Sequence, residues 1–441
     1  MSNYKHLYWI MFVATSGGIL IGLNMAGISG AVNSIQSFFN LTYHALGIVV
    51  SSLIVGGLFG AFFSGHFIEK YGRKKVLVFS SILFAISSLG CFFSQSVILL
   101  IIFRLIGGVG IGIVSVVGPV YVSEISPPKQ RGMFVSFQAL AIVTGILLAY
   151  IFNYFFMDLA NAWRYMLAVP FIFSILVMIL ISHYLPESPR WLIANNRKLE
   201  AFNILKKAHG NDLARIEMKE IENSFYSKGK KISFLYILKG KVGKLVFLGV
   251  ILAISQQLVG INAVIYYAPI IFQKTGVNEN IALFQTIIIG IVNFLATFIV
   301  LKFIDSKGRK TLLIWGAIGM TITLSYISYG FLFNLNNIGI LIAILLYIAF
   351  FAGTFAPMLG VITSELFSNH FRGLAVSFTS TVNWIFTFLV VQVFPYFLNS
   401  FGGAIIFGFF ALCSFLTLIF VKIWIPETKG KSLEEIEKEI F

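Results

Sequence analysis

Ser255-Gln256-Gln257-Leu258-Val259-Gly260-Ile261-Asn262-Ala263-Val264-Ile265-Tyr266-Tyr267 sits inside an otherwise apolar run over roughly 244–272. Such a run is long enough to cross a hydrocarbon layer of about 30 Å. Read as one continuous helix, Gln256, Gly260, Ala263 and Tyr267 share a stripe, with Ser255, Val259, Asn262 and Tyr266 beside it. Two glutamines and an asparagine at membrane depth, next to a helix-weakening glycine, need partners that lipid does not offer. One reading is bonding between helices, worth about 1 kcal/mol per bond. The other is a face lined for a polyhydroxylated ligand. Each amide offers both donors and an acceptor, as sugar hydroxyls require.

The rest of the composition places this run in a membrane. Of 441 residues, 58% are hydrophobic and 11% charged, with a mean hydropathy of +0.91. A soluble chain carries about 25% charged residues. The net charge of +15 could point to nucleic acid, but 29 of the 32 Lys and Arg fall in segments expected on one side of the membrane. Arg164 and Lys274 lie on the other side and Arg104 is intramembrane. This positive-inside asymmetry puts both termini in the cytoplasm and argues against a nucleic-acid partner. Cys91 and Cys413 lie in apolar segments, so no disulfide framework is expected. The first apolar run, with Gly22, Asn24 and Gly30, reads as a working helix rather than a signal peptide.

Twelve apolar segments can be marked, at 7–31, 44–66, 76–94, 97–122, 131–153, 164–185, 244–272, 280–304, 310–333, 338–364, 371–397 and 401–425. The Lys-rich stretch 189–243 between the sixth and seventh carries apolar positions such as Leu199, Phe202 and Leu205, spaced for short amphipathic helices. The expected organisation is an all-α membrane protein. It comprises a six-helix bundle over 1–188, linker helices over 189–243, a second bundle over 244–425 and a tail over 426–441.

The halves repeat one another. Gly72-Arg73-Lys74 is echoed by Gly308-Arg309-Lys310, Glu124/Arg131 by Glu365/Arg372, and Pro186-Glu187-Ser188-Pro189-Arg190 by Pro426-Glu427-Thr428-Lys429-Gly430. The offsets are 236 to 241. Acid and base recurring at equal spacing exceed what topology alone needs and predict ion pairs between the halves at their cytoplasmic ends. Ion pairs suit a latch because each is worth about 0–1 kcal/mol when wet. Parallel six-helix repeats of this kind place a substrate near the midplane.

The run from Gln256 to Tyr267, with these repeats in order, resembles the sugar porters of the major facilitator superfamily over nearly the whole chain. The resemblance implies a twelve-helix transporter working by alternating access on a monosaccharide, in the cell membrane, as a monomer and without cofactor or metal. It implies substrate contacts at Gln138, Gln256, Gln257, Asn262, Asn293, Asn383 and Trp384, and an extracellular gate at Tyr266 and Tyr267. It further implies a cytoplasmic latch of Glu69, Arg73, Glu124, Arg131, Glu187, Arg190, Asp305, Arg309, Glu365, Arg372 and Glu427.

There are departures from the family pattern. The fifth helix reads Gln138-Ala139 in place of Gln-Gln, and Pro357-Met358-Leu359-Gly360 has glycine where a pocket Trp is usual. Ser306 replaces a common basic residue. Glucose therefore does not follow from the resemblance; a bulkier sugar or a polyol such as inositol is an alternative substrate. Proton-coupled members carry Asp in the first helix, where this chain has Asn24, while the usual partner Arg remains as Arg104. All 17 Asp and Glu fall in loops or at helix ends. Facilitative uniport is the leading expectation, proton symport the alternative. A nutrient sensor would need a long cytoplasmic tail, and a membrane enzyme would need clustered carboxylates, metal ligands or a nucleophile–base pair. Asn40-Leu41-Thr42 is a sequon on the outer face.

Overall fold

The computed structural model describes residues 2–127, 131–226, 234–303, 308–367 and 371–429. Among these there is no β-strand. Eleven helices are long and apolar enough to cross a membrane. Ten are single spans: Leu7–Phe38, Tyr43–Tyr71, Arg73–Phe93, Val97–Ile125, Met133–Phe156, Ala162–Tyr184, Val242–Gln273, Glu279–Leu301, Arg309–Leu332 and Asn337–Thr363. The eleventh, Gly373–Trp424, has 52 residues, more than two crossings need. Gly402 breaks it with φ 79° and ψ 168°, a conformation open to glycine, so the chain makes twelve crossings. The expected gap at 398–400 is helical instead, and the turn is made at the glycine.

The first and seventh spans are the most enclosed, with 78% and 72% of their apolar windows buried against 33–61% elsewhere. They are equivalent members of the two repeats, and they hold the polar residues of interest. Small residues let neighbouring helices touch backbone to backbone. A Cβ added to Gly22 would fall 2.0 Å from the Ile142 carbonyl oxygen, so the first and fifth spans close on each other there.

Between the sixth and seventh spans run short helices Pro189–Ala194, Lys198–His209 and Asn211–Tyr226, as the amphipathic spacing requires. Leu192, Ile193 and Ala201 form their small core, with Trp191, Ile204, Met218 and Ile221 packed on it.

The chain forms two compact units that cut across the sequence repeats. One comprises 1–24, 52–149 and 167–231; the other 25–51, 150–166 and 232–441. The second unit thus gathers the whole second half with those ends of first-half helices that lie opposite the charged clusters.

Candidate functional site: a broken seventh span and its amide chain

The seventh span is two helices. Gly240–Leu258 stops at Val259, and Ile261–Gln273 starts after Gly260, which adopts the left-handed conformation, φ 87° and ψ 14°. Glycine is required twice over at this point. The backbone disfavours any other residue, and a Cβ would lie 2.4 Å from the Phe410 ring. The carbonyl of Val259, next to the break, is satisfied by the Tyr347 hydroxyl at 2.8 Å. The stripes expected of one continuous helix therefore do not run through Gly260. The residues on its two sides are brought together by the turn itself.

The three amides, with Asn383, form one bonded chain. Gln256 donates Nε2 to the Phe355 carbonyl at 3.0 Å and accepts at Oε1 from Asn383 Nδ2 at 3.1 Å. Asn383 Oδ1 accepts from Gln257 Nε2 at 3.3 Å, and Gln257 Oε1 accepts from Asn262 Nδ2 at 2.6 Å. Phe355 closes the π-helical turn Phe351–Phe355, ahead of Pro357, whose missing N–H disturbs the ladder there. Each amide is fixed by its neighbour, so oriented donors and acceptors are held within an apolar bundle. Trp384 follows Asn383 and is half-buried. Asn293 is buried on the eighth span and stands outside this chain of bonds.

Gln138, in the other unit, differs. It is 6% exposed, and neither its Nε2 nor its Oε1 has a hydrogen-bond partner. It packs against Gly118, where a Cβ would fall 2.8 Å from the amide oxygen. A buried amide left unbonded costs about 1–3 kcal/mol, which a ligand hydroxyl would recover. At Gly360, where the sequence lacks a Trp, an added Cβ would meet nothing within 4 Å, so the missing side chain leaves open space.

The tyrosines do structural work that the sequence did not announce. Pro269 has no N–H, so the carbonyl four residues before it, Ile265, loses its helical donor. The Tyr150 hydroxyl donates to that carbonyl at 2.9 Å. Pro395 likewise frees Val391, and the Tyr267 hydroxyl donates to it at 3.0 Å while its ring stacks on Phe394. Tyr267 itself is kinked, φ −124° and ψ 17°. Tyr266 is buried. Further bonds join first-half to second-half residues in this unit, among them Ser51 to Gln392 at 2.6 Å and Asn33 to Gln273 at 3.0 Å.

Asn24 and Arg104, in the first unit, line one small cavity with Ser87 and Cys91, closed on its other sides by Leu23, Leu53, Leu167 and Pro170. Asn24 donates to the Leu20 carbonyl at 2.9 Å, and both residues are buried.

The repeated charged motifs form two matching clusters. The Arg73 guanidinium meets Glu124 at 2.7 Å, and Ser188 donates to the other Glu124 oxygen. Glu187 accepts from the backbone N–H of Arg73 and Lys74, so its carboxylate caps a helix start. In the second half Arg309 meets Glu365 at 2.9 Å, Thr428 donates to Glu365, and Glu427 caps Arg309 and Lys310. Gly72 and Gly308 are conserved between the repeats for a steric reason: a Cβ on either would strike the capping carboxylate. These pairs join helices within one half, whereas the sequence led us to expect ties between halves. Glu69 is exposed, its carbonyl accepting from the Trp191 indole. Arg190 has a partner of its own. Asp305 and Ser306, and the side chains of Arg131 and Arg372, lie outside the described residues.

Comparison with known proteins adds the following. The sequence model of the family described as Sugar (and other) transporter matches residues 10–440. The chain is 40% identical to the probable metabolite transport protein CsbC of Bacillus subtilis (strain 168), covering 100% of this chain and 96% of that protein. It is 35% identical to the D-xylose-proton symporter of Escherichia coli (strain K12), over 99% and 96%. Among solved structures it matches the proton:xylose symporter XylE bound to 6-bromo-6-deoxy-D-glucose, with a TM-score of 0.83 and 34% identity over 100% of both chains.

Proposed function

The chain belongs to the sugar (and other) transporter family, and from that premise we propose that it carries a monosaccharide across the cell membrane by alternating access, as a facilitative uniporter. The observation that carries this reading is the amide chain at the Gly260 break, from Gln256 through Asn383 and Gln257 to Asn262. Carboxamides exchange their bonds to one another for bonds to sugar hydroxyls with little net cost, because both are neutral donors and acceptors. Gln138, with no bond to give up, supplies a second contact. Asn293 and Trp384 complete the set.

Both termini face the cytoplasm in this reading, the functional unit is one chain, and residues 1–188 and 244–425 act as the two moving bundles. The two charged clusters keep each bundle's cytoplasmic helix ends rigid as it moves. Uniport rests on Asn24, which does not titrate, beside Arg104.

Proton symport is the second reading, favoured by the relative described as a D-xylose-proton symporter. Substrate class is tested by uptake of one labelled pentose into proteoliposomes, in competition with a panel of hexoses, pentoses and polyols. Inhibition by monosaccharides alone supports the proposal; inhibition by inositol and not by sugars contradicts it.

A further inference from the structure

The eighth span carries a row of buried polar side chains that its neighbours leave unbonded. Gln285, Asn293 and Thr297 are 6%, 7% and 4% exposed. With buried Ile289 they recur every fourth residue, which is one ridge of a helix. Gln285 Oε1 and Thr297 Oγ1 have no hydrogen-bond partner, and Asn293 makes no side-chain hydrogen bond to a described residue. Thr297 departs from the habit of this chain. Thr286, Thr363, Thr379 and Thr387 each donate to the carbonyl four residues earlier, so their hydroxyls are satisfied within the helix.

The row faces away from the apolar side of its helix, where Phe284, Ile291, Leu295 and Phe298 are exposed. The span packs against Ile261–Gln273, Asn337–Phe350 and the Phe351–Phe355 turn, the elements that carry Asn262 and the Phe355 carbonyl. A buried amide or hydroxyl left unbonded destabilises a fold, most of all where lipid offers no partner. Three along one ridge match a neutral ligand whose hydroxyls both donate and accept, as those of a sugar do. Counted from Glu279 at 1.5 Å per residue, Gln285 lies about 9 Å along the helix, Asn293 about 21 Å and Thr297 about 27 Å. We propose that Gln285 and Thr297 are sugar-binding positions on either side of Asn293, so that a monosaccharide exchanges one side-chain bond for the next along this span. The inference rests on the reading of the chain as a monosaccharide transporter, and it extends the sugar's path beyond the one residue assigned to it on this helix.

The test is uptake of labelled D-xylose, L-arabinose, D-glucose and D-galactose into proteoliposomes holding the full chain, with the melting temperature of the same protein measured without sugar. Gln285→Met and Thr297→Val keep the shape of the side chain and remove its polar atoms. Each should raise KM for the transported sugar about two- to tenfold, the worth of one neutral hydrogen bond. Because each also removes a buried group that has no partner, the melting temperature should hold or rise. A purely structural role would lower the melting temperature and leave KM where it was. The two positions lie about 18 Å apart along the helix, so misfolding of one variant leaves the other decisive. Wild-type uptake with KM unchanged in both variants overturns this inference alone. A wild type that takes up none of the four sugars overturns the transport reading, and this inference with it.

Discussion

The Tyr150 hydroxyl donates to the Ile265 carbonyl at 2.9 Å, and that carbonyl is available because Pro269 stands four residues on. A first-half tyrosine thus completes the backbone of the second half's broken span. The bond exists only while these helix ends are together, so it stabilises that arrangement relative to any in which they part.

Removing the hydroxyl leaves the carbonyl buried without a donor, at about 1–3 kcal/mol. Tyr150→Phe should therefore raise the proportion of molecules with these ends apart by about five- to a hundredfold. Spin labels at the exposed positions Ser37 and Asn280 report the separation. Tyr267→Phe is the control, since Val391 belongs to the same half as Tyr267. It should lower the melting temperature without lengthening the measured distance. Unchanged distances in Tyr150→Phe would reduce its hydroxyl to a packing detail.

The charged clusters make a second prediction, about which residues are coupled. Arg73 and Glu124 are 11% and 8% exposed, and breaking so buried a pair costs about 3 kcal/mol. A double-mutant cycle on thermal or denaturant stability should give strong coupling between Arg73 and Glu124, and again between Arg309 and Glu365. The cross-half cycle, Arg73 with Glu365, should give none. Strong cross-half coupling would restore the inter-half latch that the sequence first led us to expect.

How far the sequence reached can be followed residue by residue. Twelve crossings, two repeats and the linker helices were legible because hydropathy, charge asymmetry and the 236-residue echo all depend on chain-local pattern. Gln256, Gln257 and Asn262 stood out because amides are rare at membrane depth. Their direct links to Asn383 and Phe355 were not legible, since bonding between distant helices leaves no local trace. Periodicity alone favoured an unbroken helix through Gly260, and only the left-handed backbone corrected that. Tyr150 was overlooked although Pro269 carries the needed signal. A proline inside a membrane helix orphans a carbonyl, and some donor has to be found for it. The equal spacing of the charged motifs was legible; that Arg73 pairs with Glu124 and Arg309 with Glu365, each within its own half, was not, because both arrangements share the same sequence.

Gln257 links Asn383 to Asn262, so its loss should cut the amide chain at its centre. Gln257→Ala should weaken sugar binding about threefold to a hundredfold, from one hydrogen bond lost and one partner left unpaired. Equilibrium binding of labelled sugar to the purified variant measures this directly. Unchanged affinity with a lower melting temperature would assign these amides to holding helices together.

Uniport is the claim most exposed to contradiction, because a symporter needs a group whose protonation differs between its two access states. Asn24 and Arg104 line the same small cavity of the first unit, and neither changes charge near neutral pH. The deciding measurement is labelled-sugar uptake into proteoliposomes holding the unmodified protein under an imposed pH gradient. The predicted result is equilibration without accumulation, and an initial rate indifferent to a protonophore. Uphill accumulation that collapses when the protonophore is added would contradict the account and move proton coupling to a carboxylate at a helix end, with Glu124 the first to examine.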